Sequence, residues 1–245
     1  MKAFTLLALG SLSLLPLSSR ALPLNDDVSL DMELALVSDY RTRGISQTRN
    51  DPAVQAAMTL VHSSGLYLGA WSSNVDFGGG LKTRQEVDYY AGWLWHASEA
   101  VSLDLGYLKY SYPKESQFNQ SEVYGILTAY GVQVGAYYAN DAPGVDSEQS
   151  TLYRYLGYET ELPLGLGLRL RYGEMDFKDP RLVSASGQGE DRYHEWEARL
   201  TREVAGVLLG LSYIDTDLSK SQCTSNYGFD DLCGATWVVS ARKAF

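Results

Sequence analysis

Trp237-Val-Val-Ser-Ala-Arg-Lys-Ala-Phe245, the C-terminal segment, is the most informative part of the sequence for the fold. Its apolar residues alternate with small or charged ones, as in a strand with one apolar face, and it stops on an aromatic residue. Many bacterial outer-membrane barrels end in such a strand, which pairs with the first strand and places its terminal aromatic at the membrane interface. We therefore expect a barrel that closes at Phe245, and the barrel-assembly machinery as the partner of this strand.

The other end of the chain, residues 1–21, has the pattern of a secretory signal. Lys2 gives a positive start, residues 4–15 an apolar core and Ser19-Arg20-Ala21 a cleavage site with small residues. The apolar run is too short to cross a bilayer as a helix. We expect residues 1–21 to be removed on export and residues 22–245 to form one domain in the bacterial outer membrane.

The charge of the chain limits its partners. The formal net charge is −10, and it becomes −12 once Lys2 and Arg20 leave with the signal. An acidic chain lacks the basic face that nucleic acids require, so we expect no nucleic-acid partner. No later segment has 18 apolar residues in succession, so any membrane crossing is made by strands.

From Val28 onward the apolar residues recur with a period of two, which indicates strands. Twelve such segments follow one another, each near the ~9–11 residues that a tilted membrane strand needs. Their connections alternate between short turns (62–65, 96–100, 130–132, 161–165 and 202–205) and long polar loops (40–52, 75–84, 111–120, 140–150, 174–191 and 214–235). This alternation predicts an all-β fold, an up-and-down antiparallel transmembrane β-barrel of about 12 strands.

The apolar face carries its aromatic residues at the strand ends, as two interfacial belts around an aliphatic band. The predicted belt at the short turns contains Trp93, Trp95, Tyr130, Tyr158 and Phe245. The predicted belt at the long loops contains Tyr40, Tyr107, Tyr138, Tyr172, Trp196, Tyr213 and Trp237. In the sixth strand we place Tyr124, Ile126 and Thr128 on the lipid face, which leaves Glu122 on that face near the outer rim.

The opposite face is small or charged and predicts a polar lumen, because a mid-membrane arginine facing lipid costs about 2–4 kcal/mol. The candidate pore-lining residues are Asp31, Glu33, Asp39, Arg41, Arg43, Glu86, Asp88, Arg169, Arg171, Glu195, Glu197 and Arg199. Two arrangements are open. Acids and bases line opposite walls of a narrow water-filled pore and set its selectivity, or they pair across the lumen and close it.

The most distinctive segment runs from Ser38-Asp39-Tyr40-Arg41-Thr42-Arg43-Gly44 through Pro52 to Gln55. It resembles the signature of the TorF family of porin-like bacterial proteins, whose function is not known. The resemblance implies an outer-membrane barrel and a channel, and it supplies no substrate or catalytic residue. On the inward parity, Asp39, Arg41 and Arg43 form either a charge cluster at the outer mouth or the internal support of the first loop.

Cys223 and Cys233 are the two cysteines, and a turn at Asn226 and Gly228 can bring them together. An exported chain is expected to join them in a disulfide, and we expect no metal site and no cofactor. Enzymatic activity is not expected, because the three histidines have no nucleophile motif beside them.

The sequence therefore predicts an outer-membrane channel for passive diffusion of small polar solutes or ions. Its environment would be outer-membrane lipid and lipopolysaccharide. The alternative is a non-conducting structural or surface-binding barrel that acts through its extracellular loops.

Overall fold

The computed structural model describes residues 21–143 and 149–245, so the predicted signal lies outside the described residues except at Ala21. The described chain forms twelve long antiparallel strands, as the sequence predicts. They are β1 (Val28–Val37), β2 (Ala53–His62), β3 (Leu66–Asn74), β4 (Gln85–His96), β5 (Val101–Ser111), β6 (Gln120–Ala129), β7 (Val132–Ala142), β8 (Gln149–Leu162), β9 (Leu166–Phe177), β10 (Arg192–Val204), β11 (Val207–Thr216) and β12 (Thr236–Ala244).

The strands pair in chain order, and the last strand closes the barrel on the first. β12 runs antiparallel to β1, with Ser240 opposite Val37 and Ala244 opposite Glu33. The amide of Phe245 continues this ladder by donating to the carbonyl oxygen of Met32 at 2.9 Å. Closure leaves the barrel without a free edge strand, which is the condition for crossing a bilayer with strands.

The outer surface of the barrel is apolar, as the period of two predicts. Leu36 and Leu68 are each 58% exposed, and Val54, Val134 and Leu156 are similarly open. The belt at the short turns includes Trp93 and Trp95, whose rings stack with centroids 6.3 Å apart. At the other end, Tyr213 packs edge-on against Trp237. An apolar exterior of this kind is stable only against lipid.

Two placements on the lipid face are wrong. In β6, Tyr124 and Ile126 point into the barrel and are buried, whereas Val123 and Leu127 are about half exposed on the outside. Glu122 therefore lies in the interior, where 1% of it is exposed. Tyr40, which we placed in the outer belt, also lies inside, with its hydroxyl 3.1 Å from Glu86.

Short turns and long loops lie at opposite ends of the barrel, called here the short-turn end and the long-loop end. Tyr130 and Gly131 both have positive φ angles, of 52° and 83°, as do Ala205 and Gly206, at 53° and 76°. Positive φ at both central residues is the type I′ geometry that matches the twist of paired strands, so two residues suffice for each turn.

The long-loop end also holds the helix α1 (Lys220–Tyr227), which begins with a capping box between Ser219 and Gln222 and ends at Gly228. Among the described residues, no helix is long and apolar enough to span a membrane.

Candidate functional site

One side of the barrel interior, β8 to β12 together with β1, carries arginines and glutamates in pairs, and it is called here the arginine–glutamate wall. Arg169 lies 3.2 Å from Glu159, and Arg242 lies 3.3 Å from Glu33. Arg171 contacts two carboxylates on β10, Glu195 at 2.9 Å and Glu197 at 3.5 Å. Arg199 completes the wall at 2.8 Å from Glu197.

The register of the strands produces these pairs. Glu159 is the direct cross-strand partner of Arg169, and Arg171 is the partner of Glu197. Opposite charges in such positions stabilise a sheet by a few tenths to about 1 kcal/mol. Each pair on this wall therefore joins neighbouring strands or one strand to itself. These pairs run along the wall. Both arrangements drawn from the sequence stay predictions for the interior as a whole.

The other side of the interior, β3 to β7, carries carboxylates that tyrosines contact, and it is called here the tyrosine–carboxylate wall. Tyr67 donates to Asp104 at 2.6 Å, and Tyr110 donates to Glu122 at 2.9 Å. Asp88 lies on the same face as Glu86 in β4, and both are buried. Among the described residues, neither of these two carboxylates forms an ion pair with a base.

Several interior tyrosines pack against glycines of neighbouring strands. A Cβ at Gly69 would overlap the ring of Tyr90, and a Cβ at Gly106 would overlap the ring of Tyr124. The missing side chains provide the space that each ring occupies. Gly92, Gly135 and Gly173 provide the same kind of space, for Tyr67, Tyr155 and Tyr153 respectively, whereas Gly125 lies on the lipid face beside Leu105.

The first loop, residues 38–52, folds into the barrel instead of extending outward. At its base, Asp39 accepts from Arg41 at 2.6 Å and from Ser46 at 2.6 Å, and all three residues are buried. Arg41 also donates to the carbonyl oxygen of Gly44 at 3.0 Å and to Asn50 at 2.8 Å. The Asp39–Arg41 pair is therefore the internal support of the loop, one of the two roles considered for it.

The tip of the first loop, Arg43 and Gly44, crosses the interior. Arg43 donates to both carboxylate oxygens of Glu122 on β6, at 2.8 and 2.7 Å. Its guanidinium lies over the rings of Tyr153 and Tyr137, 4.6 and 5.6 Å from their centroids. Burial alone lowers the pKa of Arg43, but the Glu122 carboxylate outweighs it and raises that pKa above its ordinary value, so the side chain stays charged.

The loop between β11 and β12, residues 217–235, covers the first loop at the long-loop end and is called here the lid. The expected disulfide between Cys223 and Cys233 is confirmed, and both cysteines are 1% exposed. The amide of Ser46 donates to the carbonyl oxygen of Leu232 at 3.0 Å, and Arg41 donates to that of Gly234 at 2.9 Å. The disulfide thus holds a lid that contacts the base of the inserted loop.

Replacing Cys223 and Cys233 together by serine tests the role of the disulfide in the lid. The disulfide closes a short loop, and loss of such a disulfide should destabilise the lid by about 3 kcal/mol. The barrel itself should stay folded, because no strand lies between the cysteines. We expect faster tryptic cleavage after Lys220 in folded protein, with Ser221→Ala as the control. Equal cleavage rates in the double variant and the parent would show that the lid needs no disulfide.

Every residue predicted to line a pore lies in the barrel interior or in the inserted loop. The strand residues are Asp31 and Glu33 on β1, Glu86 and Asp88 on β4, Arg169 and Arg171 on β9, and Glu195, Glu197 and Arg199 on β10. The sequence reasoning missed Glu122 and the tyrosines that contact the carboxylates. The alternation along their strands places Tyr67 and Tyr153 on the inward face, and this is the signal that could have identified them.

His194 lies on the outer surface at the long-loop end. It contacts Asp217 at 2.7 Å and Glu174 at 3.2 Å, and its ring stacks on Tyr172 with centroids 5.5 Å apart. Glu174 also pairs with Arg154, which places a row of charged side chains just beyond the aromatic belt. These contacts give His194 a position at the membrane interface beside the aromatic girdle.

The sequence matches the family model Gcw_chp, described as a bacterial protein of unknown function, over residues 25–245. The chain belongs to this family. The matched range includes all twelve strands, so membership in Gcw_chp applies to the whole barrel. The resemblance to the TorF family stays a prediction. No curated protein matches the sequence.

Two solved porins have a similar fold. The KdgM porin aligns with a TM-score of 0.52 and 9% identity, over 88% of this chain and 99% of KdgM. The NanC porin aligns with a TM-score of 0.55 and 10% identity, over 88% of this chain and 98% of NanC. At such low identity the similarity establishes the barrel fold alone.

Proposed function

We propose that residues 22–245 form an outer-membrane channel for passive diffusion of small polar solutes or ions, with cations preferred. The observation that carries this proposal is the direction of the wall ion pairs. Arg169–Glu159, Arg171–Glu197 and Arg242–Glu33 join neighbouring strands, so they supply a charged surface without bridging the interior. A hydrated path bounded by such charges is how porin-like barrels select ions.

The preference for cations follows from the excess of carboxylates on the inner face. The inward acids are Asp31, Glu33, Glu86, Asp88, Asp104, Glu122, Glu159, Glu195 and Glu197. The inward strand bases are Arg169, Arg171, Arg199 and Arg242, and the first loop adds Arg43. Acids therefore outnumber bases, and a narrow pore with net negative walls concentrates cations.

Asp31→Lys tests this selectivity. Asp31 lies half-buried on the inward face of β1, and among the described residues it has no ion pair. The new positive charge should shift the reversal potential in a potassium chloride gradient toward anions. Asp26→Lys, at an exposed position before β1, is the control and should leave the reversal potential unchanged. Equal shifts in both variants would mean that the wall charge near Asp31 does not face the ion path.

The non-conducting barrel remains the second candidate, favoured by one observation. The first loop and the lid occupy the long-loop end, where Ile45 is 2% exposed and Leu232 is 5% exposed. In this candidate the packed loops would carry the function, and no solute would pass through the barrel. Lipopolysaccharide and the barrel-assembly machinery stay predicted partners under either candidate.

A further inference from the structure

The first loop is held unevenly along its length. Its base is fixed by several short hydrogen bonds among Asp39, Arg41, Ser46 and the lid. Asp39 also accepts from Thr48 at 3.2 Å, which ties the returning half of the loop to the same carboxylate. These contacts bring both halves of the loop to one carboxylate and keep the base in place.

The tip, by contrast, reaches the tyrosine–carboxylate wall through the side chain of Arg43, while its backbone accepts a hydrogen bond from the hydroxyl of Tyr193 on β10 at 3.1 Å. Arg43 pairs with Glu122, which lies 79 residues further along the chain. Tyr110 donates to the same carboxylate at 2.9 Å, so Glu122 has a second partner on its own side of the interior. Gly44 beside it packs against Thr216 and Glu195 with a φ of 83°, a backbone conformation that favours glycine.

The Arg43–Glu122 ion pair crosses the interior, unlike the ion pairs of the arginine–glutamate wall. Among the described residues, it is the ion pair that joins the first loop to a strand across the interior, whereas the wall pairs join neighbouring strands or residues of one strand. Arg43 carries its charge into a space bounded by two tyrosine rings and the Glu122 carboxylate. Whatever passes through the interior at this level has to pass beside Arg43.

We infer that the first loop is the gate of the channel, with its base as the fixed part and the Arg43–Glu122 ion pair as its latch. The inference rests on the proposed channel function and adds the residue that controls it. While the latch is formed, the tip obstructs the interior between β6 and β9–β10. When the latch breaks, Arg43 withdraws toward the long-loop end and the passage widens.

Glu122→Gln tests the latch by removing the negative charge with little change of shape. Loss of one partner from a buried ion pair should raise the ratio of open to closed time by about a hundredfold. The measurement is single-channel recording in planar bilayers. Arg43→Met should act in the same direction, and it leaves Glu122 with the hydroxyl of Tyr110 if Glu122→Gln does not fold.

Two further variants make the conductance test specific. The matched control is Arg154→Met with Glu174→Gln, which removes an exposed ion pair from the outer surface and should leave gating unchanged. The swap of Arg43→Glu with Glu122→Arg should restore part of the closed time. Wild-type gating in Glu122→Gln and Arg43→Met would overturn the latch.

Trypsin gives a second readout that needs no conduction. In folded wild-type protein the bond after Arg43 is inside the barrel and should resist cleavage. In Glu122→Gln the tip should become accessible, giving a fragment that begins at Gly44. If this fragment appears while neither protein conducts, the latch stands and the channel function fails. If the wild type conducts and Glu122→Gln neither releases the fragment nor changes gating, the latch fails and the channel stands.

Discussion

Replacing Arg171 by methionine is expected to lower the free energy of unfolding by about 3–5 kcal/mol, the usual effect of removing one partner from a buried ion pair. Arg171 contacts Glu195 and Glu197, and all three residues are buried. Glu197 keeps Arg199 as a partner, but Glu195 keeps mainly the hydroxyl of Tyr153. The loss therefore arises from a buried carboxylate that no longer has a cation.

Equilibrium unfolding in urea, with the protein inserted in lipid vesicles, measures this loss. Arg192→Met is the matched control, because Arg192 contacts Asp176 at 3.1 Å with 51% of its side chain exposed. An exposed pair contributes between 0 and about 1 kcal/mol, so the control should be nearly neutral. Similar losses in the two variants would mean that the arginine–glutamate wall contributes no more than surface pairs.

Excising the first loop is expected to raise the single-channel conductance several-fold, because the inserted segment is removed and the wall charges remain. The barrel allows a clean excision. Val37 and Ala53 are direct cross-strand partners, so an Asn-Gly type I′ turn can replace residues 38–52 and join β1 to β2. Retained heat-modifiable migration on gels would establish that the shortened barrel is folded.

The excision shows whether the first loop or the barrel wall forms the narrowest part of the passage. If the shortened barrel is folded and its conductance is unchanged, the narrowest section of the passage lies at the arginine–glutamate wall and not at the first loop. The control is a loop of full length with Asn50→Ala, which removes a hydrogen bond to Arg41 but leaves the tip in place. That variant should keep a conductance close to that of the wild type.

The strands and their closure were predictable, because both come from local patterns. The alternation from Val28 to Leu36 and the short turns at 130–132 and 202–205 need no long-range information. The inward and outward faces of β6 were assigned wrongly, because both faces of this strand carry apolar residues. Tyr124 and Ile126 alternate with Val123 and Leu127. Because tyrosines pack over glycines inside this barrel, the inward face of β6 is no more polar than the lipid face, and the sequence pattern does not distinguish the two.

The charged residues of the arginine–glutamate wall were predictable as a set but not as an arrangement. Parity places Arg169, Arg171 and Glu197 inside, whereas their pairing depends on the strand register, which the sequence pattern does not fix to one residue. The inserted loop depends on the contact between Arg43 and Glu122, which are far apart in the chain. No local signal in residues 38–52 indicates whether such a loop folds inward or outward.

The proposed channel can be tested by single-channel recording of the mature wild-type protein in a potassium chloride gradient. We expect discrete openings, separated by closures that the latch produces, with a reversal potential of the sign expected for cation preference. Electrical silence from protein shown to be folded and inserted would contradict the channel, and a reversal potential of the anion-selective sign would contradict the role given to the interior carboxylates.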